Sequence, residues 1–288
     1  MAARLKFNEG KACDAVIRIL EARTGQNRKD VQDPEKDGHV VPIELICKIG
    51  DRLFAFEHTG IEPFAGHLKL DAEADKHVRP IEAMLVGKLP PAETFELNMP
   101  ANATQGMLLK EVRRVQEALV AWIIEIAPTL PIARYAEYLM PIQKVKPEGV
   151  PFEVSLFRFQ TVVPPSRFQI KHVVGDIARA RELRIQEACV RKFPKLEAWR
   201  PTGARTVLVL EENDMFLTNA QVVYDALAKV EATFSNRPDE IYLVGTMIEN
   251  PWYVHALRVG DRGYYAMSEA GECMTEFDPS TLADLTGR

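Results

Sequence analysis

Four acidic side chains, Asp33, Glu35, Glu44 and Glu57, interrupt a stretch that turns apolar from Val41 onward, and Asp37 lies in the same loop. A hard cation such as Mg2+ takes oxygen ligands, usually one or two protein carboxylates completed by water and a substrate phosphate. Carboxylates on adjacent strands can converge on such an ion, which neutralises charge at a phosphate and activates water. Glu44 and Glu57, with Asp33 or Asp37 from the preceding loop, form the set on offer. Loop acids such as Asp33, Glu35 and Asp37 ordinarily face solvent, and Glu44 reads as the polar side of a half-exposed strand. Glu57 is different. It shares an alternating face with Leu53 and Ala55, and a carboxylate among apolar residues needs a partner.

The elements that must position these acids are two strands, 41–49 and 52–59, turned at Gly50-Asp51 into an antiparallel hairpin. In the first, Val41, Ile43, Leu45 and Cys47 are expected on one face and Glu44 and Lys48 on the other. Before it, Ala12, Val16, Ile19 and Leu20 give a helical stripe over 8–24, with Asn8 as cap and Gly25 as stop. TGQNRKDVQDPEKDGH between them reads as a polar loop. Residues 65–149 are punctuated by proline and read as a mostly helical subdomain: a helix around 78–86, a strand at 94–99, a helix over 105–127 capped by Thr104, and a short helix over 134–143. From 150 onward, strands alternate with helices at 176–199 and 220–234. The last strand is WYVHALRV, and the order signals an α/β sheet. Lys192 flanks the buried stripe of the 176–199 helix, and Lys195 follows on the same helix.

The 288 residues suffice for one large domain or two modest ones, and the net charge is −5. A protein held on nucleic acid by global charge would be basic, so any contact with DNA must come from a local patch. Residues 176–205 offer one, with eight Lys or Arg against four acids. The four cysteines lack CxxC spacing and read as reduced thiols, which with the absence of a signal-like leader or an apolar span predicts a cytoplasmic, non-membrane protein. Phosphate-loop, dinucleotide, nucleophile-elbow and zincin motifs are all absent.

A helix bearing acids, an acidic turn, a hairpin and a second strand carrying Glu57-His58-Thr59 together resemble the PD-(D/E)XK nuclease superfamily. RIQEACVRKFPKLEAW followed by GARTVLVLEEND is similar to the helix and strand that follow its catalytic hairpin. The resemblance spans 1–64 and 150–260. It implies a mixed α/β fold with a restriction-endonuclease-like core and Mg2+-dependent hydrolysis of DNA phosphodiesters. It also implies that Glu57 is a metal ligand, that Asp33, Asp37 or Glu44 holds the family's aspartate position, and that Glu21 or Glu9 is the first-helix acid. The motif lysine is missing after Glu57, so the resemblance assigns its role to Lys192, or to Lys195, from the later helix. That gap also favours an alternative: a non-catalytic binding or regulatory protein on the same scaffold.

Overall fold

The structure, a computed structural model, describes residues 7–39, 41–62, 67–91, 93–133, 144–160, 167–173, 176–213 and 218–287, with 67–75 described by backbone alone. In chain order the elements are α1 (Glu9–Thr24), β1 (Arg28–Gln32), β2 (Leu45–Ile49), β3 (Arg52–Ile61), α2 (His67–Leu85), β4 (Glu93–Pro100) and α3 (Leu109–Ile126). They continue with β5 (Ser155–Gln160), β6 (Arg167–Val173), α4 (Ile177–Glu197), β7 (Arg205–Glu212), α5 (Ala220–Glu231), β8 (Glu240–Gly245), β9 (Trp252–Val259), β10 (Arg262–Gly263), α6 (Tyr264–Glu269) and β11 (Met274–Phe277). Two compact units result: residues 1–65 with 177–288, and residues 66–176.

The first unit is built on a mixed sheet in the order β1-β2-β3-β7-β8-β9-β10, with β11 paired to β9. β1, β2 and β3 pair antiparallel, β7 runs parallel to β3 and β8, and β9 returns antiparallel. Alternation along each strand feeds two cores. Phe54, Phe56, Val207, Val209 and Val244 pack with Ala12, Val16 and Leu20 of α1. Ala55, Leu208, Leu210, Ile241 and Leu243 pack with Ile185, Cys189 and Phe193 of α4 and Val223 and Leu227 of α5. Because both faces are covered, β7 is buried from Thr206 to Glu212 and reads as a continuous apolar run up to its terminal acids. Glu240 is buried in this unit with its charge fully met: Arg23 and Arg205 pair with it at 2.7 and 2.5 Å and the Tyr242 hydroxyl donates at 2.6 Å.

Among its described residues the second unit sets a three-stranded sheet, β5-β4-β6, beside the helices α2 and α3, around Val78, Ile81, Leu97, Leu119 and Ile123. It includes the segment over 150–173 that the sequence reading placed with the later sheet. α3 begins at Leu109, where Glu111 Oε2 accepts from the Leu108 N–H at 2.8 Å; Thr104 instead contacts His77 Nδ1 at 3.1 Å. The expected helix over 134–143 lies outside the described residues.

Three other expectations are corrected. Part of the loop after α1 is β1, an edge strand, because Arg28 is tied to Glu21 and Asp14 of α1 and so aligned with β2. The Asn8 side chain does not cap α1; its backbone N–H donates to Glu211 instead. WYVHALRV does not end the sheet, since β10 and β11 both pair with it. Asn219 does cap α5, accepting from the Val222 N–H at 3.1 Å. Cys13, Cys47 and Cys189 are buried free thiols. Among the described residues, no helix is long and apolar enough to cross a membrane.

Candidate metal centre

Leu45 of β2 pairs with Phe56 of β3, so Glu44 enters the sheet directly across from Glu57. The strand begins only at Leu45, and Ile43 packs in the α4-side core rather than beside Leu45. Glu44 is consequently buried at 6% exposure, not on a half-exposed face. Glu57 is fully buried and directed at α4. On α4, Lys192 and Lys195 are one turn apart and reach the same carboxylates. Lys192 Nζ donates to Glu44 Oε1 at 2.7 Å and to Glu57 Oε2 at 2.5 Å. Lys195 Nζ lies 3.1 Å from Glu35 Oε1 and 3.2 Å from Glu57 Oε1. Glu44 Oε2 accepts the His58 backbone N–H, which fixes its rotamer against β3.

Glu35 arrives from a turn closed by Asp37 N–H to Asp33 O at 3.1 Å and by Lys36 N–H to Asp33 Oδ1 at 3.1 Å. Asp33 thus holds the turn, and Glu35 is what the turn presents. One oxygen from each of Glu35, Glu44 and Glu57 lies within 4.8 Å of the others, and Glu35 and Lys195 open the cluster to solvent.

The electrostatics single out Glu57. Burial is the main influence raising its pKa, the Glu44 charge adds to it, and Lys192 and Lys195 oppose both; the result is about 7. Burial would depress the Lys195 ammonium, but the Glu57 and Glu35 carboxylates outweigh it and raise that group. Glu57 Oε1 is a buried oxygen with no aligned hydrogen bond, only the Lys195 ion pair. Glu240, by contrast, is satisfied by two guanidiniums and a phenol. Three carboxylates against two ammoniums leave one negative charge over. A hard-oxygen donor set with one buried oxygen held by an ion pair alone fits a hard divalent cation.

Metal binding should therefore be linked to protons. Below about pH 7, Glu57 must lose its proton to become a ligand, so Mg2+ affinity should rise about tenfold per pH unit and level off above about pH 8. Calorimetric titration in buffers of different ionisation heat reads both the slope and the proton released.

The structure does not bring every acid read from the sequence to this cluster. Glu21 pairs with Arg28 at 2.8 Å, and Asp33 and Asp37 stay in their turn. His58 points to the opposite face, where Nε2 lies 2.9 Å from Glu211 Oε2; Glu211 also accepts from the Asn8 N–H at 2.8 Å and Thr246 Oγ1 at 3.0 Å. Glu35, read from sequence as a solvated loop acid, is a member. The signal for it was Lys195: a second lysine one turn from Lys192 calls for a further carboxylate. Arg191, the residue before Lys192, was counted in the basic patch, and its guanidinium donates to Thr59 Oγ1 at 3.1 Å, two residues along β3 from Glu57.

No family model matches this chain, and no curated protein and no solved structure matches it.

Proposed function

We propose that this protein is a Mg2+-dependent DNA nuclease whose first unit is a restriction-endonuclease-like core, with residues 66–176 inserted between β3 and α4. The observation that carries the reading is the convergence of Glu44 and Glu57 from one hairpin with Lys192 from α4, 135 residues from Glu57 in sequence. The PD-(D/E)XK resemblance calls for a helix, a hairpin with Glu57 on its second strand, a helix and a further strand. α1, β2–β3, α4 and β7 stand in that order and support it.

Glu57, Glu44 and Glu35 would hold the ion, which when bound supplies charge neutralisation at the phosphate and acidifies water. Lys192 aligns the two buried carboxylates and presents positive charge where charge develops on the phosphate. Arg191, exposed at the solvent side of Thr59, is placed to take a neighbouring backbone phosphate. Metal-dependent nicking of plasmid DNA, absent in EDTA, tests the reading.

Arg191→Gln should weaken binding of a DNA duplex in EDTA similarly for all sequences and reduce the slope of log affinity against log salt by about 0.9. Mg2+ affinity should not change. A gel-shift salt series together with metal calorimetry checks both.

A second reading keeps the scaffold without turnover. Lys192 and Lys195 already compensate two of the three carboxylates, as a purely structural ion-pair network would. It forecasts DNA binding that weakens with salt and no nicking with Mg2+ or Mn2+.

A further inference from the structure

A separate cavity of about 360 Å3 lies in the first unit at the carboxyl ends of β7 and β8, beside the start of α5. Ligands of open α/β sheets bind outside the carboxyl ends of their parallel strands. The volume is near the small end of ligand pockets, about 300–1,000 Å3. One wall is a sheet face: Tyr253 and His255 project from the same side of β9, and Met274 is His255's direct partner on β11. Tyr264 adds a third ring, its centroid 6.1 Å from that of His255 and tilted 61°. The lining therefore offers aromatic faces and edges set at an angle, beside the thioether of Met274.

The charged residue among the described lining is Glu212, the last residue of β7, at 4% exposure. Its neighbour across the strands is Gly245 of β8. A Cβ at Gly245 would stand 2.9 Å from Glu212 Oε1, so glycine is what leaves the carboxylate its place. Burial holds the His255 imidazole below its ordinary titration range, which favours the neutral ring as a stacking surface.

We infer that this cavity binds an amine-bearing nucleobase, as its nucleoside, with the base stacked on the face of one of the Tyr253, His255 and Tyr264 rings and the exocyclic amine donating to Glu212. Stacking accepts any base; the carboxylate, which only accepts hydrogen bonds, favours adenine and cytosine over bases with a carbonyl at that position. The inference does not rest on the nuclease reading: no residue of the metal cluster lines the cavity.

The test is calorimetric titration of the full chain, without metal, with adenosine, cytidine, inosine and uridine. Adenosine or cytidine should bind at least about tenfold tighter than its carbonyl counterpart, the loss expected when a charged acceptor faces a carbonyl. Glu212→Gln, whose amide both donates and accepts, should bring that ratio close to one. Gly245→Ala should weaken the amine-bearing base severalfold, with circular dichroism and melting reporting that the fold is kept. The inference is overturned if the native protein binds none of the four at millimolar concentration. It is equally overturned if amine and carbonyl bases bind alike, if the preference survives Glu212→Gln, or if tetramethylammonium binds in place of the nucleosides.

Discussion

Glu57→Gln is expected to abolish divalent-metal binding and to flatten the dependence of stability on pH. The variant keeps the shape of the side chain and loses its charge. In the native protein the folded value of about 7 lies above the ordinary 4.5. The stability this group contributes is therefore fully present below about pH 4.5 and is lost as pH rises through 7, because an ionised Glu57 must then be kept in the interior. Gln carries no such penalty. Between pH 5 and pH 8, in EDTA, the variant should gain on the native protein by up to about 3 kcal/mol, at about 1.4 kcal/mol per pH unit. Urea unfolding at the two pH values measures the difference. A Glu57 that is only a structural partner of Lys192 would make the variant lose stability at both pH values.

Lys192→Met should have the largest effect on the metal-free fold. It leaves Glu44 and Glu57 facing each other with only Lys195 nearby, and removing one partner of a buried ion pair costs about 3–5 kcal/mol. The same change removes the cation that competes for these oxygens. Mg2+ should accordingly stabilise Lys192→Met more than it stabilises the native protein, since a ligand of the folded state alone adds stability in proportion to its affinity. The double variant with Glu57→Gln should recover most of the lost stability and none of the metal effect. Thermal melts of the four proteins with and without Mg2+ separate these outcomes. A melting temperature in Lys192→Met that does not respond to Mg2+ would place Lys192 in a static ion-pair network.

Much of this framework was legible in the residues. Period-two alternation in 52–59 put Glu57 on a face shared with apolar side chains, and the structure buries it there. Lys192 was legible as a flank of the α4 stripe, because helical spacing fixes which residues share a face. Glu44 was harder: its burial depends on where β2 begins, and a start at Leu45 turns Ile43 to the α4 side. The choice of Glu35 over Asp33 was not legible. Two acids two residues apart in a loop differ only in which one closes the turn, and that is decided by the Asp33 contact with the Lys36 N–H. β1 escaped for a similar reason, since RKDVQ has no apolar pattern and is ordered by Arg28 reaching Glu21 and Asp14. The charge of Glu21 is spent on that contact, which is why a helical acid at a plausible position is not in the site.

The most direct measurement is nicking of supercoiled plasmid at pH 8 by the purified 288-residue chain with Mg2+ or Mn2+, run beside Glu57→Gln and an EDTA control. The expected result is metal-dependent nicking that Glu57→Gln reduces by about 10³-fold or more, the scale of removing a group that stabilises developing charge. Absence of nicking with both metals, or nicking that Glu57→Gln leaves unchanged, would contradict the assignment of Glu35, Glu44 and Glu57 as a catalytic metal centre.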